Sequence, residues 1–474
     1  MLEAEQYIFK YIRERVVRMK KLLIIIVTAL IIAFGGPRIG LSSHQAIVAS
    51  IFCVSIMGVL IYWELRLSFV FLGAGAMLLT RSIDLENLIK FASLDVILFL
   101  IGTMILVGML NDAGFFYWTV TRLLRIKNIT GEKLFILIMF LSGALSGLMG
   151  EVASIIIMSK IILDICHLID IDPIPLIIAS VLATNIGSSG TLFGNPVGIL
   201  IAARANLTFE DFMRNAFPVT VIVFIVTLVI LSLWYRKVIK KMSEKLLPLR
   251  ENSFFISLIS ISTDIKTKVS IGIFAAMLVC IFFHHRIEIF FNLQENSILM
   301  MTPIVFAGIA LLYRRDRMRH YVEREVEWTS VLFFLFLFAL AGAVKFSGVS
   351  DIIARNLIGK FSNPVSLSAV LIYSSSILSA ALDNTVVVAT YIPIVQSLGG
   401  LNINIKPLWW AILFGACYGG NITIVGSTAN IIAIDILEKS RNVKISFFHW
   451  LKIGLVVGII TTTVAYFSLI LLIH

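Results

Sequence analysis

Runs of about 20 predominantly apolar residues, each long enough to cross a bilayer, recur along the whole of this chain. No polar stretch between them is long enough for a separate soluble domain. Only 14% of the 474 residues are charged, against about 25% in soluble domains. The fold class this implies is an all-α polytopic membrane protein. Apolar spans are expected near 22–34, 45–63, 67–79, 95–110, 174–203, 216–234, 269–283, 298–313, 328–344, 408–437 and 447–473. Two further apolar blocks, 134–168 and 364–398, are too long for one straight span. The total is about 11 transmembrane helices plus two re-entrant hairpins.

The net charge of +11 comes from Lys and Arg placed between apolar runs. That pattern follows the positive-inside rule and excludes a nucleic-acid surface, which needs a basic stripe on a soluble fold. The leader with Arg13, Arg15, Arg18, Lys20 and Lys21, and segments 236–250 and 314–324, are expected in the cytoplasm; 206–215 and 288–296 are expected outside, with His284 and His285 in an external loop. The N-terminus is then cytoplasmic and the C-terminus external, in the plasma membrane. Span 22–34 reads as an uncleaved first helix. Tyr7, Ile8, Tyr11 and Ile12 before it suggest a short interfacial helix. Cys53, Cys166, Cys280 and Cys417 are scattered, so no disulfide or metal framework is expected.

The middles of the long blocks carry the chemistry. Block 134–168 holds Gly143, Gly147, Gly150 and Glu151 but no charged surface loop. A re-entrant hairpin fits, with its tip buried in protein or lining a wet cavity. Block 364–398 repeats this around Asp383, Asn384 and Thr385. Segments 174–203 and 408–437 read as discontinuous helices. The first has Asn185, Ser188, Ser189, Thr191 and then Gly194-Asn195-Pro196 at its centre; the second has Gly419-Gly420-Asn421-Ile422-Thr423 and then Gly426-Ser427-Thr428-Ala429-Asn430. Such helices aim half-helix ends and bare carbonyls at ligands.

These features are duplicated at a spacing of 232–234 residues. Leu145 to Glu151 matches Leu378 to Asn384, and Thr191 to Gly194 matches Thr423 to Gly426; further on, outside that spacing, Phe209 to Phe212 resembles Ile445 to Phe448. The expected organisation is 1–44, leader and first membrane helix; 45–235, first repeat; 236–267, basic linker; and 268–474, second repeat with inverted topology. Paired broken helices in an inverted repeat point to the central site of a secondary transporter. Alternating access would follow from moving the two hairpin-and-broken-helix units against a scaffold.

The stretches Ala183 to Ala205, Leu378 to Val395 and Gly419 to Glu438 resemble the ion transporter superfamily. That group includes arsenite efflux pumps, sodium–proton antiporters, the melanosomal P protein, and citrate–metal and divalent-anion symporters. The resemblance implies two inverted five-helix repeats after a leading helix, a homodimer, and ion sites where each hairpin tip meets its broken helix. By that resemblance Asp383, Asn384 and Thr385 stand at the second tip, and Asn421, Thr423, Ser427 and Asn430 in the matching unwound segment. The first half departs: its tip reads Gly150-Glu151 where many relatives have Asp-Asn, and its broken helix reads Gly194-Asn195-Pro196-Val197-Gly198 where many have Gly-Asp-Pro-Pro-Asn.

Ionisable residues at membrane depth are functional candidates by default. Glu151 and Asp383 are therefore expected to carry the coupling ion, H+ or Na+, with one of them alternatively a structural acid held by backbone amides. Asn185, Ser188, Ser189, Thr191 and Asn195 would line the other side of the first site. No cofactor is expected beyond that ion; the partners are the bilayer and a small ion substrate. Lys160, Arg204 and Lys345 are the cations nearest these segments and are expected to snorkel to the interface. No metalloprotease helix, nucleophile elbow or phosphate-binding loop is present, so the chain does not read as an enzyme, and ATP drive would require a partner ATPase subunit. The altered Gly-Asn-Pro leans to arsenite or inorganic-anion efflux. Sodium–proton antiport, citrate or dicarboxylate symport and a passive channel stay open beside it.

Overall fold

The computed structural model describes residues 23–116, 118–119, 129–247, 265–361, 363–401, 403–441 and 444–473. The interfacial helix expected around residues 7–12 lies outside them. Among the described residues the elements are helices joined by short turns. Seven are long and apolar enough to span a membrane: Ser43–Ile61, Leu94–Asp112, Gly131–Met149, Phe209–Trp234, Ile265–Phe282, Trp328–Phe346 and Phe447–Leu471. Other expected spans are shorter. Ser297–Tyr313 has 17 residues and Arg66–Leu79 has 14, which at 1.5 Å per residue gives the latter about 21 Å.

The repeat is visible in the helix boundaries themselves. Leu94–Asp112 and Trp328–Phe346 start 234 residues apart. The hairpin arms Gly131–Met149 and Pro364–Ser379, and Glu151–Leu168 and Asn384–Gly399, start 233 apart. The broken-helix halves Ile174–Gly187 and Lys406–Gly419, and Pro196–Ala205 and Thr428–Arg441, start 232 apart. Ile174–Gly187 and Lys406–Gly419 both begin with Pro at the second position, where the missing N–H has no intrahelical partner to lose.

The chain forms two compact units. The described part of the first comprises residues 23–94, Trp328–Phe361 and Ile392–Ile403. Its helices pack where a glycine replaces a side chain: Gly58 lies under the Phe69 ring, and Gly342 against Phe91. Lys345, expected to snorkel, instead donates to Asp351 Oδ1 (2.8 Å) and Ser397 Oγ (2.6 Å).

The described part of the second unit falls within 95–327, 363–391 and 404–473, and so holds both hairpin tips and both broken helices. Gly143 and Gly147 lie inside the first hairpin arm, and the chain reverses only at Gly150. Gly143 serves packing instead: a Cβ on Gly187 would strike the Gly143 backbone, and one on Gly419 the Ser376 backbone. Segment 284–291, expected in an external loop, is a helix with His284 buried. It is held there because the Glu288 carboxylate accepts from the first amides of the next helix, Asn296 N–H (3.1 Å) and Ile298 N–H (2.9 Å), a favourable place for a negative charge.

The close helix approaches should be sensitive to one methyl. Gly187→Ala and Gly419→Ala are each expected to cost about 1–3 kcal/mol through overpacking. Gly272→Ala and Gly308→Ala, where a Cβ meets nothing within 4 Å, should be neutral or stabilising by up to about 1 kcal/mol. Thermal unfolding of the four purified variants in detergent checks the contrast.

Candidate functional site

The first hairpin turns on a single residue. Gly150 adopts φ +93° and ψ 154°, a backbone region that a residue with a Cβ rarely enters. Glu151 is then the first residue of the descending arm, and its N–H donates to Gly194 O at 3.0 Å. The second hairpin turns over Ala380 to Asp383 and resumes at Asn384. Each tip is pinned to its own broken helix by an equivalent bond: Thr191 Oγ1 donates to Gly147 O, and Thr423 Oγ1 to Ala380 O. Two of the predicted residues are thereby placed as fasteners of the hairpins.

The broken helices unwind where expected. After Gly187 the chain makes one 3-10 turn over Ser188–Gly190 and restarts at Pro196. Asn195 caps that restart, its Oδ1 accepting from Gly198 N–H at 2.9 Å. Its Nδ2 donates to Ser188 Oγ (2.9 Å) and Cys417 Sγ (3.2 Å). In the second repeat Ser427 holds the matching position, and its Oγ accepts from Ala429 N–H at 3.2 Å.

The two breaks meet through buried amides. Asn430 Nδ2 donates to Gly420 O and Thr423 O, both at 2.8 Å. Its Oδ1 must then face away and accepts from Asn185 Nδ2 at 2.8 Å. Asn185 Nδ2 also donates to Asn421 Oδ1 (2.8 Å), while Asn185 Oδ1 accepts from Ser427 Oγ (3.0 Å). Two fixed carbonyls thus orient the whole chain of amides. The same logic leaves Asn421 Nδ2 buried without an acceptor among the described residues, an arrangement that costs about 1–3 kcal/mol unless an oxygen atom meets it. Ser189 turns aside, bonding Thr220 Oγ1 and Tyr418 OH, each at 3.0 Å.

The two acids sit differently. Asp383 is fully engaged: Oδ1 accepts from Thr385 N–H (3.0 Å), and Oδ2 from Thr428 N–H (3.2 Å) and Thr428 Oγ1 (2.8 Å). It caps two helices at once, the second hairpin arm and the restart of the second broken helix. Glu151 is also buried, but among the described residues its Oε2 has only Ser188 Oγ and Asn384 Nδ2, each at 3.4 Å. Those lengths lie at the outer edge of hydrogen bonding. The Asn384 contact also brings the first tip to the second; Thr385 Oγ1 is 3.4 Å from Asn384 Oδ1 on the far side. Among the described residues neither carboxylate forms an ion pair with Lys or Arg.

Thr428 and Cys417 are residues that sequence reasoning passed over. A signal for Thr428 existed. At the repeat spacing it falls opposite Pro196, the first residue of a half-helix, where a hydroxyl and a free N–H both face a cap. Cys417 falls opposite Asn185, so the first repeat places an amide where the second places a thiol.

A family model described as a citrate transporter, CitMHS, matches residues 47–415. The chain belongs to this family. An uncharacterized transporter of Mycobacterium tuberculosis is 29% identical over 380 residues, covering 78% of this chain and 84% of the relative. The human P protein is 22% identical over 454 residues, covering 80% of this chain but 54% of its own length. The crystal structure of the Alcanivorax borkumensis YdaH transporter superposes with a TM-score of 0.54 over 85% of this chain and 88% of that one, at 13% identity; that likeness is one of fold. The CitMHS member described here is therefore an integral membrane transporter.

The amide network ranks two substitutions. Asn185→Leu should destabilise strongly, because it strips Asn430 Oδ1, Asn421 Oδ1 and Ser427 Oγ of a partner at about 1–3 kcal/mol for each buried group left unsatisfied. Asn421→Leu should cost less than Asn185→Leu, since it ends one bond and removes an orphan donor. Unfolding midpoints of the two variants in the same detergent test the order.

Proposed function

We propose that this protein is a secondary active transporter of a small anion, coupled to H+ or Na+, with the coupling ion exchanged at Glu151. The contrast between the two acids carries this reading. Asp383 accepts three hydrogen bonds at two helix starts and serves as the structural acid. Glu151 is a buried carboxyl with only long contacts, and a buried charge so thinly partnered must be neutralised by a bound cation or proton. Its contacts come from the first broken helix and the second hairpin tip, so its occupancy acts on both.

Citrate or a related carboxylate is the first substrate to test, because the family model is described as a citrate transporter. The Gly194-Asn195-Pro196 sequence that leaned toward arsenite has a local explanation, since Asn195 caps a helix; it carries no substrate information by itself. Sodium–proton antiport is the second reading, favoured by two buried acids among neutral side chains.

Proteoliposomes with a trapped pH dye test both. External citrate should drive a proton flux in the parent protein. Glu151→Gln should abolish that flux while leaving citrate counterflow, and Asp383→Asn should retain the flux at reduced thermal stability. Flux evoked by Na+ alone would establish antiport, and flux evoked by arsenite alone would replace citrate as substrate. Proton flux intact in Glu151→Gln and lost only in Asp383→Asn would overturn the assignment of the coupling group.

A further inference from the structure

Helix Arg236–Leu246 follows directly on the 26-residue apolar helix Phe209–Trp234. The junction reads Trp234-Tyr235-Arg236-Lys237, and aromatic residues beside basic ones mark the headgroup level of a bilayer. Ile239, Met242 and Leu246, at helical spacing, are buried. Arg236, Lys237, Lys240 and Lys241 are exposed on the other side. Of the remaining charges on the helix, Glu244 is exposed, and Lys245 pairs with Asp170 at 3.2 Å.

The buried side does not rest on an arbitrary surface. Gly131, the first residue of the first hairpin, donates its N–H to Ser243 Oγ at 2.9 Å. A Cβ at Gly131 would strike Ile239 O. The helix is therefore seated, backbone to backbone, on the base of the hairpin whose other end carries Glu151.

We propose that helix Arg236–Leu246 is a docking surface for anionic phospholipid headgroups, through which the membrane steadies the base of the first hairpin. Four cations on one exposed face, with no ion pair among the described residues, match a negatively charged lipid surface at headgroup level. The inference does not depend on which substrate is carried. An anion occupying these cations holds the helix, through its Ser243, against Gly131, and so fixes the arm that ends at Gly150.

The test is thermal unfolding of the full-length protein in neutral detergent, titrated with phosphatidylglycerol or with phosphatidylcholine. Phosphatidylglycerol should raise the midpoint well beyond phosphatidylcholine, and the difference should shrink toward zero as salt approaches about 1 M, where the screening length falls to about 3 Å. The combined Arg236→Gln, Lys237→Gln, Lys240→Gln and Lys241→Gln variant should lose the phosphatidylglycerol response; a Lys237→Arg, Lys240→Arg and Lys241→Arg variant should keep it. A response that survives the Gln substitutions, or that salt leaves untouched, would overturn the proposal. So would an equal response to soluble glycerol 3-phosphate, which would mark a site for a small phosphate instead of a lipid surface.

Discussion

The site depends on one side chain, Asn185, where the two broken helices cross. Its amide donates to Asn421 and Asn430 and accepts from Ser427. Three bonds from one residue of the first repeat thus bind an unwound segment more than 230 residues further along the chain. Buried polar networks satisfied in this way are stiff, because any rearrangement leaves groups unpaired in a low-dielectric interior. The crossing is a fixed floor, and each hairpin is fastened to it by one threonine of its own repeat.

Above that floor the duplication has diverged. The first tip turns on Gly150 and offers Glu151; the second turns through Asp383 and offers Asn384. Because Gly150 has no side chain, nothing caps the first descending arm as Asp383 caps the second. The carboxylate of the first repeat is displaced by one residue and reaches toward Ser188 and Asn384 instead. One repeat keeps an acid committed to structure, and the other keeps an acid with little to hold it. On the proposed reading, an ion entering or leaving Glu151 would change a contact that joins the two tips, the link between ion occupancy and hairpin position that a coupled transporter requires.

Much of this was legible in the sequence. Gly150, Gly187, Gly419 and the Asn- and Thr-rich breaks announce where helices stop, because glycine and capping side chains act locally. The repeat was legible because its spacing drifts by only two residues. Partnership across the repeats was not legible: that Asn185 meets Asn421, or Glu151 meets Asn384, depends on how separated elements pack. The same limit hid Thr428, which gains its role only when Asp383 is brought to it. Segment 284–291 was misjudged for a related reason, since the partners that bury Glu288 are amides of the following helix.

Identifying which carboxyl takes the proton tests the account most directly. A hydrophobic carbodiimide adds covalently to a protonated carboxyl within the membrane, and mass spectrometry of the digested protein locates the adduct. The account predicts an adduct on Glu151 that declines with rising pH and with bound citrate, and none on Asp383, whose oxygens are held by Thr385 and Thr428. An adduct on Asp383 with Glu151 unmodified, in folded protein, would contradict it.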